Sequence, residues 1–299
     1  MTSRVLSRAN LGLTFPAALA ALLLLLALAA PLVAPDDPAA GRLADRLLDP
    51  GSPGHPLGTD GQGRDLLSRL IWAGRASLTG GFVPVAVAAV AGTLLGVVAG
   101  LGGRTTEQAL LRLLDVLYAF PGVLLAIAVA SLLTPGLGAT MLALSVVLTP
   151  AVARVAFTET RRVRSAEYLA AARVSGAGWG ALVLRQVAPV VAPVVLVYAS
   201  SLVGLAIMYA AGLSFLGLGV APPTAEWGAM LEELRPSLLT HPWVAVQPAL
   251  VILVVSVVFN TLGEALRTRI GDTAAQLPPS APAMAGRLPR PIAAKRVGG

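Results

Sequence analysis

Cysteine is absent, lysine occurs once, histidine twice, and only 12% of the 299 residues are Asp, Glu, Lys or Arg. Without cysteine there is no disulfide, no thiolate metal site and no cysteine nucleophile. A phosphate-cradling loop needs GxxxxGK followed by Ser or Thr. The single lysine, Lys295, follows an alanine near the C-terminal end, so the chain cannot hydrolyse ATP by itself. His55 and His241 each stand beside a proline and read as turn residues, which leaves neither a histidine base for an intramembrane serine nor a metal pair. No catalytic residue, metal site or bound cofactor is expected.

What is abundant is apolar surface. Hydrophobic residues make up 56% of the chain and the mean hydropathy is +0.79, far from a soluble globular composition. Six runs free of Asp, Glu, Lys and Arg lie near 14–34, 77–101, 116–134, 137–153, 187–211 and 244–262. Crossing about 30 Å of hydrocarbon takes a helix of roughly 20 residues, which most of these runs supply and the fourth supplies with its flanks. The runs are continuously apolar rather than alternating, so helices and not a barrel are implied. The expected fold is all-α, a polytopic membrane protein of about six transmembrane helices.

The net charge of +7 would point to nucleic acid in a soluble chain. Here its distribution decides. With the N-terminus inside, the inner segments carry 16 basic and 6 acidic residues and the outer ones 6 and 9. Lys and Arg thus favour the inside, as the positive-inside rule requires. N-in and C-in is the expected topology, and nucleic acid is not an expected partner. The arginine-rich, lysine-poor composition suits a GC-rich bacterial genome.

Four segments follow in order. Residues 1–34 comprise a short inner segment and the first span, whose apolar stretch exceeds the ~7–15 residues of a signal-peptide core. Residues 35–76, rich in Pro, Gly and Asp, form an outer loop. From Asp65 onward Leu66, Leu67, Leu70 and Ile71 have the spacing of an amphipathic helix on the membrane surface, with Trp72 as interfacial anchor. Residues 77–270 hold five further spans. Between spans five and six, Gly212, Gly217, Gly219 and the Pro222-Pro223 pair interrupt an apolar stretch, and a re-entrant or folded-back loop is expected. Glu226, Glu232 and Glu233 in that region read as a solvated face, or with Asp36, Asp37 and 55–78 as a docking surface. Residues 271–299, basic and rich in Pro and Ala, read as a disordered inner tail able to touch anionic lipid.

The longest charged interruption is Glu159–Pro189, which holds Arg161, Arg162, Arg164, Arg173 and Arg185. Ala170-Ala171-Ala172 is followed after three residues by Gly176, and Pro189 comes thirteen residues later. Small residues, a glycine hinge and a second amphipathic turn make an elbow that a partner's groove can grip. The stretch resembles the EAA loop of ABC-importer permeases, with Ala170 where that loop has Glu and Ala188 where it has Leu.

Two further blocks carry a closer resemblance. HPLGTDGQGRDLLSRLIWAGRASL at 55–78 and LSFLGLGVAPPTAEWGAML at 213–231 are similar to segments of the dipeptide/oligopeptide/nickel permease family, second permease type. FNTLGEALR at 259–267 is similar to that family's last-span terminus. The resemblance implies a translocating subunit working with a homologous permease as a heterodimer, two cytoplasmic ATPase subunits that use ATP and Mg, and an extracytoplasmic solute-binding protein. It makes Glu167, Ala170, Ala171, Ala172, Gly176 and Pro189 the candidate ATPase-coupling residues. It makes Asp60, Arg64, Asp65, Gly217, Pro222, Pro223 and Trp227 candidates for binding-protein docking or an external gate. Peptides come first as substrate and nickel or another small solute second. An ion-coupled carrier is the alternative class, weakened by the absence of an ionisable residue in the apolar cores.

Overall fold

A computed structural model describes residues 2–275, with side chains from 13 to 269 apart from those of Ala170 and Arg173. Among the described residues there is no strand; three isolated bridges, all between residues 41 and 65, are the only extended pairing. The helices are α1 (Thr2–Leu28), α2 (Ala30–Val33), α3 (Leu66–Leu101), α4 (Arg104–Tyr118), α5 (Gly122–Ser131), α6 (Leu137–Arg164), α7 (Glu167–Val174), α8 (Trp179–Leu182), α9 (Ala188–Phe215), α10 (Trp227–Leu234) and α11 (Pro242–Ala275).

Each of the six apolar runs expected to span the membrane is helical. Among the described residues four helices are long and apolar enough to cross a membrane: α3, α6, the run Trp179–Phe215, and Pro242–Arg269 within α11. The run expected at 116–134 is instead a broken pair, α4 and α5, bent by 91°. Pro121 causes the break, since it disfavours helical backbone at Phe120 and has no N–H to continue the ladder. The first apolar run forms the Leu13–Leu28 part of the 27-residue α1 and continues into α2. A further correction concerns residues 65–72. They are not a separate surface helix: α3 runs unbroken for 36 residues, about 54 Å at 1.5 Å per residue. The expected tail at 271–299 begins as helix to Ala275, and the remainder lies outside the described residues.

The bundle is held by close backbone approach rather than by interlocking bulk. On α3, Gly92, Gly96 and Gly100 recur every four residues and form one stripe along α6. A Cβ at Gly96 would stand 2.5 Å from the Ala153 carbonyl oxygen, and one at Gly100 2.6 Å from Thr160 Cγ2. The α6 side offers small residues, Ala153 and Ala156, both fully buried. In lipid there is no hydrophobic force between helices, so such dispersion contact is the main attraction. The α9–α11 seam repeats the device: a Cβ at Gly263 would lie 2.4 Å from Ser201 Cα, and one at Gly204 2.5 Å from the Ser256 carbonyl oxygen. Phe82 of α3 meets Phe259 of α11 edge to face at 5.2 Å.

Because backbone cannot yield as a side chain can, Gly96→Leu is expected to separate α3 from α6. The cost should exceed the ~1–3 kcal/mol of ordinary overpacking. Gly138→Ala, where nothing lies within 4 Å, should be tolerated. Thermal unfolding of the two variants in detergent checks the contrast.

Candidate functional site

Two assemblies stand out, one at the loop end of the bundle and one at the elbow. At the loop end the chain 35–65 folds back on the start of α3. Gly58 and Gly63 adopt φ +81 and +73, and a Cβ at Gly63 would fall 1.8 Å from the Arg42 carbonyl oxygen. Only glycine fits there. Asp65 caps α3, its Oδ2 accepting from Ser68 N–H at 2.8 Å, while His55 Nδ1 lies 3.0 Å from its Oδ1.

Around this turn sits a buried ionic cluster. The Asp60 carboxylate accepts from the Gln62 N–H at 2.8 Å, the Arg64 N–H at 3.0 Å and Arg64 Nε at 2.6 Å, and also from Arg69 Nη1. Glu233, the penultimate residue of α10, closes the cluster through Oε2, which accepts from Arg64 Nη2 at 2.6 Å and Arg69 Nη1 at 2.8 Å. Asp60, Arg64 and Arg69 are each 3% exposed or less. Burial works to raise the Asp60 carboxyl, but the Arg64 N–H, the Arg69 charge, the Gln62 N–H and the Arg64 charge together hold it below the usual aspartate value of 3.8.

A second set of bonds fastens α10 to α3. Glu226 caps α10, accepting from the Ala229 N–H at 2.9 Å and from Ser77 Oγ at 2.8 Å. Trp227 Nε1 donates to the Leu70 carbonyl at 3.0 Å, and its backbone N–H donates to Ser77 Oγ at 3.1 Å. The blocks at 55–78 and 213–231 are thus two halves of one clamp.

At the other end α6 continues to Arg164, and its last turn carries Arg161, Arg162 and Arg164, cations that suit a helix C-terminus. Arg164 Nη1 donates to the carbonyls of Gly100 at 3.0 Å and Gly102 at 2.8 Å, closing the end of α3. Then α7 begins with Glu167 in its first turn. It stops at a Schellman turn: Gly176 has φ +81 with open space around it, and the Ala177 N–H donates back to the Ala172 carbonyl at 3.1 Å. Leu169, Leu182 and Val187 are buried and tie the elbow to the bundle, while Tyr168, Val174, Trp179 and Leu184 are exposed. Between α8 and α9 the residues Val183–Val187 form a π turn, and Ala188 N–H reaches the Val183 carbonyl. Pro189 explains the wider turn, because its ring would press on a carbonyl four residues back in a regular helix.

The candidate residues divide accordingly. Glu167, Ala170, Ala171, Ala172 and Gly176 lie together in α7 and its cap, and Pro189 opens α9 beyond α8. Of the external set, Asp60, Arg64, Asp65 and Trp227 meet in the clamp, where their side chains are enclosed by their own chain. Gly217, Pro222 and Pro223 are exposed on the α9–α10 connection, outside the clamp. The solvated-face reading is corrected for Glu226 and Glu233, both engaged in the clamp, and holds for the exposed Glu232. Sequence reasoning missed Arg69, Ser77 and the His55–Asp65 pair. A lone arginine one turn into an apolar helix was the available signal, since a buried charge requires a partner. His55 Nδ1, Asp65 and Asp36 bring ligand-type atoms within 4.8 Å of one another, with Asp65 already occupied by its cap and histidine bonds.

The bundle, clamp and elbow define a multi-pass helical membrane component. The family described as binding-protein-dependent transport system inner membrane component matches residues 92–272. The chain is 40% identical over 223 residues to the glutathione transport system permease protein GsiD of Pectobacterium atrosepticum, which spans 75% of this chain and 74% of that protein. It is 36% identical over 244 residues to the dipeptide transport system permease protein DppC of Alkalihalophilus pseudofirmus, with 82% and 80% covered. To the di/tripeptide transport system permease protein DppC of Pseudomonas aeruginosa it is 40% identical over 252 residues, with 82% and 83% covered. A solved amino acid ABC transporter with histidines overlays 67% of this chain and 94% of its own with a TM-score of 0.51 and 13% identity, a likeness of fold alone. The chain belongs to the binding-protein-dependent transport system inner membrane components, and is a membrane permease subunit.

Asp60→Asn should leave Arg64 and Arg69 short of a buried counter-charge, at a cost of about 3–5 kcal/mol, seen as a lower unfolding midpoint in detergent. The acid dependence has a definite sign. Asp60 is depressed in the fold, so its contribution is complete above 3.8 and is lost as pH falls through the lower folded value. Limited proteolysis of the 35–65 loop should therefore stay flat from neutral pH to about 4 and rise below it in the parent chain, with that step absent in Asp60→Asn.

Proposed function

We propose that this permease is one half of a heterodimer with a homologous permease, in an ATP-driven ABC importer of dipeptides or oligopeptides. Two cytoplasmic ATPase subunits bind ATP and Mg, and an extracytoplasmic binding protein delivers the peptide. The chain sits in a bacterial cytoplasmic membrane with both termini and the elbow inside. The observation that carries this reading is the elbow: a short helix between two spanning helices, anchored by buried Leu169, Leu182 and Val187, with Tyr168, Val174, Trp179 and Leu184 exposed. The peptide-transport names of the relatives support the substrate class, and the inward bias of Lys and Arg supports the orientation.

The mechanism is alternating access. Closure of the ATPase pair on ATP moves the groove that grips α7. Because Gly176 is locked in a bonded cap rather than swinging freely, α7 moves with α6 and α9 as one piece. Those helices rock, and the pathway opens outward beneath a binding protein seated on the clamped end. There the exposed Gly217, Pro222, Pro223 and Glu232 form the contact surface, while the clamp keeps that surface rigid. Hydrolysis reverses the rocking and releases peptide inward.

Affinity purification in mild detergent is expected to recover a second permease and an ATPase whose activity rises with the loaded binding protein. Recovery of the chain alone under several extraction conditions would overturn the importer reading and favour an ion-coupled carrier. Gly176→Pro cannot adopt φ +81, and should lower peptide uptake by about tenfold or more while the subunit remains inserted and assembled. A bulky replacement of Ala172 should do the same. Unimpaired uptake in both would remove the elbow from the coupling path.

A further inference from the structure

The chain has four tyrosines, and three of them, Tyr118, Tyr198 and Tyr209, line a single cleft of about 240 Å³ between α4–α5, α6 and α9. On α9 the cleft residues are Tyr198, Leu202, Leu205 and Tyr209, spaced i, i+4, i+7 and i+11, so they form one stripe. The two phenols lie about 16 Å apart along the helix at 1.5 Å per residue, which is half of a ~30 Å hydrocarbon core. Among the described residues no protein group hydrogen-bonds the three hydroxyls. The three side chains line the cleft, with Tyr198 and Tyr209 half-buried and Tyr118 exposed. No charged residue is part of its lining, and Arg267 acts on Tyr198 from beyond it. At its rim Arg154 pairs with Asp115 at 2.6 Å and stacks over Tyr118 at 4.6 Å.

The broken helix points the same way. The α4–α5 break bends by 91°, and its irregular backbone borders the cleft through Phe120 and Gly122. Irregular backbone at membrane depth persists only where protein buries it or where it faces a water-filled path. Phe120 is 56% and Tyr118 53% exposed, so this chain does not bury it.

We propose that this cleft is a stretch of the translocation pathway that takes short peptides by their backbone. The phenol hydroxyls donate to peptide carbonyls and accept from peptide N–H groups. Amides are common to every peptide, and an uncharged wall does not sort side chains, so the cleft passes peptides without reading their sequence. The proposal rests on the peptide-importer reading above.

The absence of cysteine makes the test direct. Tyr198→Cys and Tyr209→Cys are each assembled with the partner subunits in vesicles of both orientations and treated with a membrane-impermeant cationic methanethiosulfonate. Labelling is read as a mass shift on this chain. Leu253→Cys, on the exposed face of α11, is the lipid-side control. The expected result is labelling at 198 and 209 and none at 253. The Tyr198→Phe/Tyr209→Phe double variant should import dialanine several-fold more slowly while co-purifying with the partner subunits in the same amount as the parent chain. No labelling at either tyrosine position, while the parent complex imports dialanine, would overturn the proposal and show that the other permease covers the cleft. Parental uptake in the double Phe variant would overturn the role of the hydroxyls. Labelling at both positions in a complex whose parent imports no dialanine would overturn the peptide class and leave an aqueous path for another solute.

Discussion

The approach of α3 to α6 is the constraint on which the rest depends. Gly92, Gly96 and Gly100 allow two backbones to touch, and in lipid that contact replaces the hydrophobic drive of a soluble core. With the pair in place, α3 projects its first turns into the clamp and presents its last carbonyls to Arg164. The α4–α5 break is then fixed against α6 by the Arg161–Glu107 and Arg154–Asp115 ion pairs. Those pairs are largely exposed and contribute little stability. Their role is orientation.

The clamp uses charge differently. Asp60, Arg64, Arg69 and Glu233 are enclosed by protein, with Arg69 Nε and Nη2 and Glu233 Oε1 lacking partners among the described residues. A buried ionic cluster is weak evidence for stability, since well-packed apolar residues often do as well. It does specify geometry: Glu233 can meet both arginines only when α10 lies in one place. Together with Trp227 and Glu226 it joins segments some 165 residues apart in sequence, so the surface at the clamped end is defined by bonds rather than by loop composition.

Much of this was legible in the sequence. The helical class, the membrane character, the elbow and the two clamp blocks follow from apolar run length, glycine position and motif resemblance. The misses have a common cause. Periodicity describes one helix at a time, so Leu66, Leu70 and Ile71 read as a surface stripe although α10 covers that side of α3. Likewise Glu226 and Glu233 looked solvated because nothing local names Ser77 or Arg69 as a partner. The Gly92–Gly96–Gly100 stripe was present in plain view, but its meaning lies in Ala153 and Thr160 on another helix. The break before α5 was hidden because a proline early in an apolar run is harmless in most helices.

The unbroken α3 has a consequence for how the two ends of the molecule communicate. A single rod of 36 residues enters the clamp at one end and is held through Arg164 at the elbow at the other. It cannot shift at one end without shifting at the other. Coupling through such an element is reciprocal by thermodynamic necessity. Whatever free energy an event at the clamped end contributes to the elbow's preferred position, the same amount returns when the elbow is engaged first. In the proposed importer the clamped end and the elbow therefore share one equilibrium, and neither is solely the sender or the receiver.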